Sequence, residues 1–112
     1  MRGIKDFNFP TFFKAAKELR EQGHMVFNPA ERDTNAHGAE PLKSETGSEL
    51  EVAQKLGYKT GMQLARECFL ADTAFICTSA DAIYVLPGWQ TSRGAIAERA
   101  LGIALGLEIV EL

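Results

Sequence analysis

The 112-residue sequence has few of the residues that build metal centres and disulfide frameworks, with two cysteines and two histidines. Cys68 and Cys77 fall in one predicted helix, about 13 Å apart at ~1.5 Å per residue, which is too far for a disulfide bond. We therefore expect two buried thiols in a reducing, cytoplasmic compartment. His24 and His37 are isolated, and no group of cysteines and histidines has the spacing of metal ligands.

Two further absences narrow the function. The net charge is −3, so the sequence predicts no basic face for nucleic acid. No apolar run approaches the roughly 20 residues of a membrane span, and the polar N-terminus lacks the apolar segment of a signal peptide. We therefore expect neither a nucleic acid nor a membrane as partner. Hydrophobic residues make up 46% of the chain, which is enough for one core, so we predict a single domain over residues 1–112.

Helical and strand patterns alternate along the chain. The predicted elements are a helix from Asn8 to Gly23, a strand at 24–27, a polar loop from 30 to 47, helices from Ser48 to Gly57 and from Thr60 to about Ser79, a strand at 82–86, a helix at 91–105 and a strand at 107–112. Capping boxes mark the starts of the second and third helices. Helices that alternate with short apolar strands predict an α/β fold with a parallel sheet.

The most informative stretch is 81–98, where a strand ends at Pro87-Gly88 and a helix begins near Thr91. In open α/β sheets, ligands bind at the carboxyl ends of strands, and helix N-termini offer free N–H groups to anions. Gly94, Glu98 and Gly102 share one face of that helix. A carboxylate between two glycines has room for a ligand to approach, so we predict a ligand site here.

Asp72 is a second candidate, because it sits in the apolar stripe of the long helix. A buried carboxylate is costly, so such an acid normally has a partner or a chemical role. In the structural interpretation Asp72 caps a neighbouring loop or pairs with Arg66 or Arg93. We favour the functional interpretation because Glu98 offers a second carboxylate.

Two carboxylates near a helix N-terminus suit the cleavage of an N-glycosidic bond. One carboxylate traps the sugar at its anomeric carbon, and an acid assists the leaving base. The remaining candidates would bind phosphate, sugar or base: Pro87, Gly88, Trp89, Ser92, Arg93 and Gly94. Structural alternatives stay open, with Ser92 as a helix cap, Arg93 in an ion pair and Trp89 as a surface anchor.

Four segments carry a resemblance to a known family: Asn8-Phe9-Pro10, Gly23 through Glu31, Asp72, and Asp81 through Glu98. On these residues the chain resembles a bacterial and phage family of uncharacterised proteins related to the nucleoside 2-deoxyribosyltransferases. The resemblance implies a Rossmann-like (flavodoxin-like) parallel sheet flanked by helices, with a variable polar loop at about 30–60. It also implies Glu98 as nucleophile, Asp72 as acid/base helper, and no metal or organic cofactor.

Two departures from the family pattern shape the expected function. The transferases that use free nucleosides have an aspartate six residues before the nucleophile, where this chain has Ser92. A hydroxyl there favours a (deoxy)nucleoside 5′-monophosphate over a nucleoside. The family's first strand is missing, so we expect the remaining strands to pair with each other or a neighbouring subunit to fill the gap in a homo-oligomer. The alternatives are a catalytically inactive nucleotide-binding, sequestering or regulatory module, and an oligomeric scaffold with a vestigial pocket.

Overall fold

Helices dominate the computed structural model, which describes residues 3–112. The elements are α1 (Phe9–Glu21), α2 (Pro29–His37), α3 (Glu49–Lys55), α4 (Gly61–Thr78), β1 (Ala82–Val85), α5 (Arg93–Ala104) and β2 (Glu108–Glu111). Short 3-10 turns precede α1, α3 and α5. The predicted helix from Asn8 to Gly23 forms as α1, and the order of elements after residue 48 follows the predicted one. The segment between them differs.

The expected Rossmann-like sheet flanked by helices is wrong, because within residues 3–112 the sheet consists of β1 and β2 alone. These strands pair in parallel, from Ala82 opposite Glu108 to Val85 opposite Glu111. The strand predicted at 24–27 is an irregular segment, and Met25 within it is fully exposed. An apolar pattern makes a strand only where a neighbouring strand supplies hydrogen bonds, and this segment leads directly into α2 instead.

The predicted polar loop from residue 30 is also wrong, because its first part forms α2. Asn28 caps this helix, since its side-chain oxygen accepts a hydrogen bond from the Ala30 N–H at 3.0 Å. Pro29 occupies the first turn, where its missing N–H costs nothing. Gly38, at φ 85°, ends the helix. The residues at its two ends, Asn28 with Pro29 and Gly38, therefore mark this helix, although its apolar residues show no strong helical period.

Both predicted capping boxes start helices where expected. The Ser48 hydroxyl accepts from the Glu51 N–H at 3.3 Å, and the Thr60 hydroxyl accepts from the Gln63 N–H at 3.2 Å. α3 and α4 begin at the residue after each cap. Each cap satisfies an N–H group that the helix itself leaves without a partner.

α4 carries both cysteines as free thiols, as expected. Cys68 is half-buried, but Cys77 is exposed, so the expectation of a second buried thiol is wrong. Neither α4 nor any other helix within residues 3–112 is long and apolar enough to cross a membrane.

The chain forms two compact units, divided within α4 between Cys68 and Phe69. The first unit has a continuous apolar core of five buried residues, namely Phe7, Leu42, Val52, Ala53 and Leu64. In the second unit α5 packs against β1 and β2, and Val85 and Leu86 are buried. The single-domain assignment of residues 1–112 stays a prediction.

Candidate functional site

The loop after β1 has the predicted strand–turn–helix form. Pro87 and Gly88 are exposed, and Gly88 adopts φ 88°, a left-handed conformation that glycine reaches without strain. A single 3-10 turn, Trp89–Thr91, follows, and α5 begins at Arg93. The carboxyl end of β1 therefore leads within a few residues to the N-terminus of a twelve-residue helix.

Ser92 is the N-cap of α5, in agreement with its structural interpretation. Its hydroxyl oxygen accepts from the Ala95 N–H at 3.3 Å. Thr91 stabilises the preceding turn, because its hydroxyl donates to the Gly88 carbonyl at 3.0 Å. A hydroxyl that caps a helix uses an oxygen lone pair, so the Ser92 proton can still be donated to a ligand.

Trp89 anchors the loop through both its polar and its aromatic parts. Its indole Nε1 donates to the Glu111 carboxylate at 3.1 Å, and the Arg99 guanidinium lies 4.5 Å from the ring centroid. Contact between a guanidinium and an aromatic face is favourable. The surface-anchor interpretation of Trp89 thus fits the geometry. The roles of Arg99 and Glu111 were missed because both residues come from other elements.

The two glycines that flank Glu98 on α5 have different surroundings. A Cβ added at Gly94 would meet no atom within 4 Å, so space is open there. A Cβ at Gly102 would collide with the Ile83 side chain and lie 3.0 Å from Ile109 Cδ1. Gly102 therefore lets α5 approach the sheet, and of the two glycines only Gly94 leaves room for a ligand.

The two predicted catalytic carboxylates belong to the same compact unit. Glu98 lies in the second turn of α5 and Asp72 lies in α4, and both are half-buried. Arg93, at the start of α5, is exposed. The joint action of Asp72 and Glu98 on one substrate stays a prediction.

The family described as "Domain of unknown function (DUF4406)" matches residues 1–111. The chain belongs to this family. No curated protein and no solved structure matches it. The DUF4406 match spans both compact units, and the family description names no activity.

A second polar cluster in this DUF4406 chain joins α2 to α4, and sequence reasoning missed it. Arg32 bonds both carboxylate oxygens of Glu67, with Nη1 3.1 Å from Oε2, and also reaches Asp33 Oδ1 at 3.0 Å. His37 Nε2 lies 2.9 Å from Glu67 Oε2. The Cys68 thiol donates to the same oxygen at 3.5 Å. Glu67 is thus the centre of the cluster, which we call the Glu67 cluster.

Hydrogen bonding and burial shift the pKa values of the Glu67 cluster in opposite directions. Hydrogen bonds from Arg32 above all, and from His37, lower the pKa of Glu67 to about 2. Burial raises the pKa of Asp33 despite its contact with Arg32. Burial, together with the negative charges of Asp33 and Glu67, raises the pKa of the Cys68 thiol. The free protein therefore favours an ionised Glu67 beside a protonated thiol.

The Glu67 cluster has no sequence signal if residues 30–47 form a loop. As part of α2, Asp33 and His37 stand four positions apart and share a helix face, but a loop gives them no common direction. Glu67 and Cys68 lie about thirty residues further along the chain.

The first unit also contains an open cavity of about 460 Å³. Its walls come from the irregular segment before α2 and from α2 itself: Val26, Phe27, Asn28, Glu31, Arg32, Asn35 and Ala36. None of the residues predicted for the nucleotide site lines this cavity.

Proposed function

We propose that this protein cleaves the N-glycosidic bond of a (deoxy)nucleoside 5′-monophosphate, with Glu98 as nucleophile. One observation carries the proposal. Glu98 is half-buried in the second turn of α5, and open space lies one helical turn away at Gly94. A carboxylate beside open space, close to a helix N-terminus, suits a substrate that is a sugar with an attached anion.

The start of α5 supplies groups that suit a 5′-phosphate. The first-turn N–H groups and the helix dipole favour an anion there. Arg93 is exposed and carries a guanidinium that pairs with phosphate oxygens. The Ser92 hydroxyl adds a donor. The loop next to Ser92 consists of Pro87, Gly88 and Trp89, and it would contact the base, with the Arg99 guanidinium over the indole ring.

The proposed reaction has two steps. The Glu98 carboxylate attacks the anomeric carbon, and the bond to the base breaks while Asp72 donates a proton to the leaving base. The sugar is then esterified to Glu98. Water, or a second base, attacks the same carbon and regenerates the carboxylate, and Asp72 regains its proton. Neither step calls for a metal or an organic cofactor.

A base-release assay tests the proposal. Purified protein is incubated with each common nucleoside and 5′-monophosphate, and free base is measured by chromatography. We expect release from a monophosphate, and a loss of at least about a thousandfold in Glu98→Gln. Glu108→Gln is the matched control, because Glu108 is an exposed glutamate on β2 and the charge change is the same. Wild-type turnover in Glu98→Gln would refute the nucleophile assignment.

The same samples discriminate the alternative function. If a monophosphate raises the melting temperature but no base is released, the protein is a nucleotide-binding module without turnover. Glu98→Gln should keep the ligand-induced stabilisation if Glu98 acts in chemistry rather than in binding.

The protein is also proposed to associate with copies of itself, and its proposed location is the cytoplasm. α5 exposes two large apolar residues, Ile96 and Ile103, which supports burial against a second copy. Two free cysteines fit a reducing compartment. Analytical ultracentrifugation should show a dimer or larger assembly, and Ile103→Lys should shift it toward monomer.

A further inference from the structure

The Glu67 cluster brings together the three kinds of atom that bind zinc. A nitrogen of His37, a carboxylate oxygen of Glu67 and the Cys68 sulfur all lie within 4.8 Å of one another. In a tetrahedral zinc site with bonds of about 2.0–2.3 Å, neighbouring ligand atoms are roughly 3.3–3.8 Å apart. The distances from Glu67 Oε2 to His37 Nε2 and to Cys68 Sγ are 2.9 and 3.5 Å, which are close to this range.

We propose that His37, Glu67 and Cys68 bind a zinc ion as its three protein ligands, with Asp33 beside them as a further negative charge. Asp33 precedes His37 by one helical turn, so the two residues share a face of α2. Only 13% of the side-chain surface is exposed in each of Asp33 and His37. The ligands therefore come from two helices of the first unit, α2 and α4, and Glu67 is more exposed than His37, at 30% of its side-chain surface.

The charge of the cluster matches a divalent cation. Arg32 is the competing cation, since it pairs with both Glu67 and Asp33. Two carboxylates and a thiolate outweigh one guanidinium by two negative charges, which a zinc ion neutralises. When Glu67 Oε2 turns to the metal, Arg32 keeps its bonds to Oε1 and to Asp33.

The ligand atoms select the metal. Sulfur and imidazole nitrogen favour zinc and related transition metals over magnesium and calcium, which prefer oxygen. On binding, the S–H bond of Cys68 gives its proton to solvent while the sulfur–zinc bond forms. No redox change is involved, and the proposal stands apart from the nucleotide site.

Cobalt titration tests the proposal, because Co²⁺ replaces zinc and is coloured. Untagged full-length protein is stripped with a chelator and titrated with Co²⁺ alone. We expect one ion per chain, with a near-ultraviolet thiolate-to-cobalt band and the visible bands of a tetrahedral site. Added Zn²⁺ should abolish these bands by displacement.

The two cysteines provide matched variants. Cys77→Ser should keep the thiolate band, because it leaves the proposed ligand Cys68 in place. Any band in this variant must come from Cys68, since the chain has two cysteines. Cys68→Ser should lose the band, and His37→Gln should weaken zinc binding by about tenfold or more. Absence of the band in the wild type, or its loss in Cys77→Ser, would overturn the proposal, and both results hold even if Cys68→Ser fails to fold.

Discussion

The two compact units differ in what holds them together. The first unit has a five-residue apolar core and the Glu67 cluster between α2 and α4. The second has a two-stranded sheet with one helix packed on it, and its buried apolar residues are Val85 and Leu86. Burial of apolar surface is the main favourable term in folding. The unit with the predicted site therefore has the smaller buried apolar core.

The largest effect should come from the core of the first unit. Val52 is 1% exposed, so Val52→Ala should lower the free energy of unfolding by about 2–3 kcal/mol through lost burial and a cavity. Val110→Ala, in half-buried β2, should cost about half as much. Urea unfolding followed by circular dichroism and by Trp89 fluorescence measures both. Equal losses would remove the contrast between the units.

The second unit is most sensitive where α5 meets the sheet. Gly102→Ala places a Cβ against Ile83, so it should destabilise by about 1–2 kcal/mol through overpacking. Gly94→Ala is the matched control. Space is open at Gly94 and alanine favours helix, so this change should stabilise by up to about 1 kcal/mol. Unfolding in urea compares the two, and destabilisation by Gly94→Ala would show that its surroundings are closed.

The next effect is on acid stability and belongs to the first unit. Glu67 has a pKa of about 2 when folded, against an ordinary 4.5. Its ionised form stabilises the fold above pH 4.5, and that contribution is lost as the pH falls from 4.5 toward 2. Chelator-treated Glu67→Gln should therefore lose less stability than wild type over this range, as measured by urea unfolding.

Asp33 provides a control of opposite sign in the same cluster. Its pKa is raised on folding, so its contribution is present at low pH and is lost as the pH rises through the folded pKa. Asp33→Asn should therefore remove a loss of stability that occurs as the pH rises. Glu67→Gln should instead remove a loss of stability that occurs as the pH falls. Parallel pH profiles for the two variants would contradict the assigned charge pattern.

The smallest effects should come from the two serine caps, one in each unit. Ser48→Ala and Ser92→Ala each remove one N-cap bond and should cost about 1 kcal/mol in urea unfolding. Only Ser92→Ala should also raise the KM for a monophosphate, because the proposed function assigns its hydroxyl to the phosphate. An unchanged KM would limit Ser92 to its capping role.

Local signals predicted the elements well wherever they were complete. Ser48 and Thr60 cap the helices that they were expected to cap, and the stretch 81–98 forms a strand, a turn and a helix. The segment at 24–27 failed because an apolar pattern says nothing about a hydrogen-bonding neighbour. α2 was missed because a short polar helix shows no clear apolar period, although Asn28 and Pro29 mark its start.

In the candidate site, too, the sequence predicted local features but not contacts between elements. Sequence spacing placed Gly94, Glu98 and Gly102 on one face of α5, but it could not distinguish open space at Gly94 from the sheet beneath Gly102. It described Trp89 as an anchor or a stacking surface, and could not name Arg99 and Glu111 as its partners.

The sequence by itself determined the caps, the turns, the order of the elements after residue 48 and the residues that share a helix face, because these depend on neighbours within a few positions. Only the tertiary structure decided that two strands form the sheet, that Gly102 packs against it, and that His37 lies beside Glu67 and Cys68. Those contacts join residues far apart in the chain, and their free energy depends on burial and charge that arise only when the chain has folded.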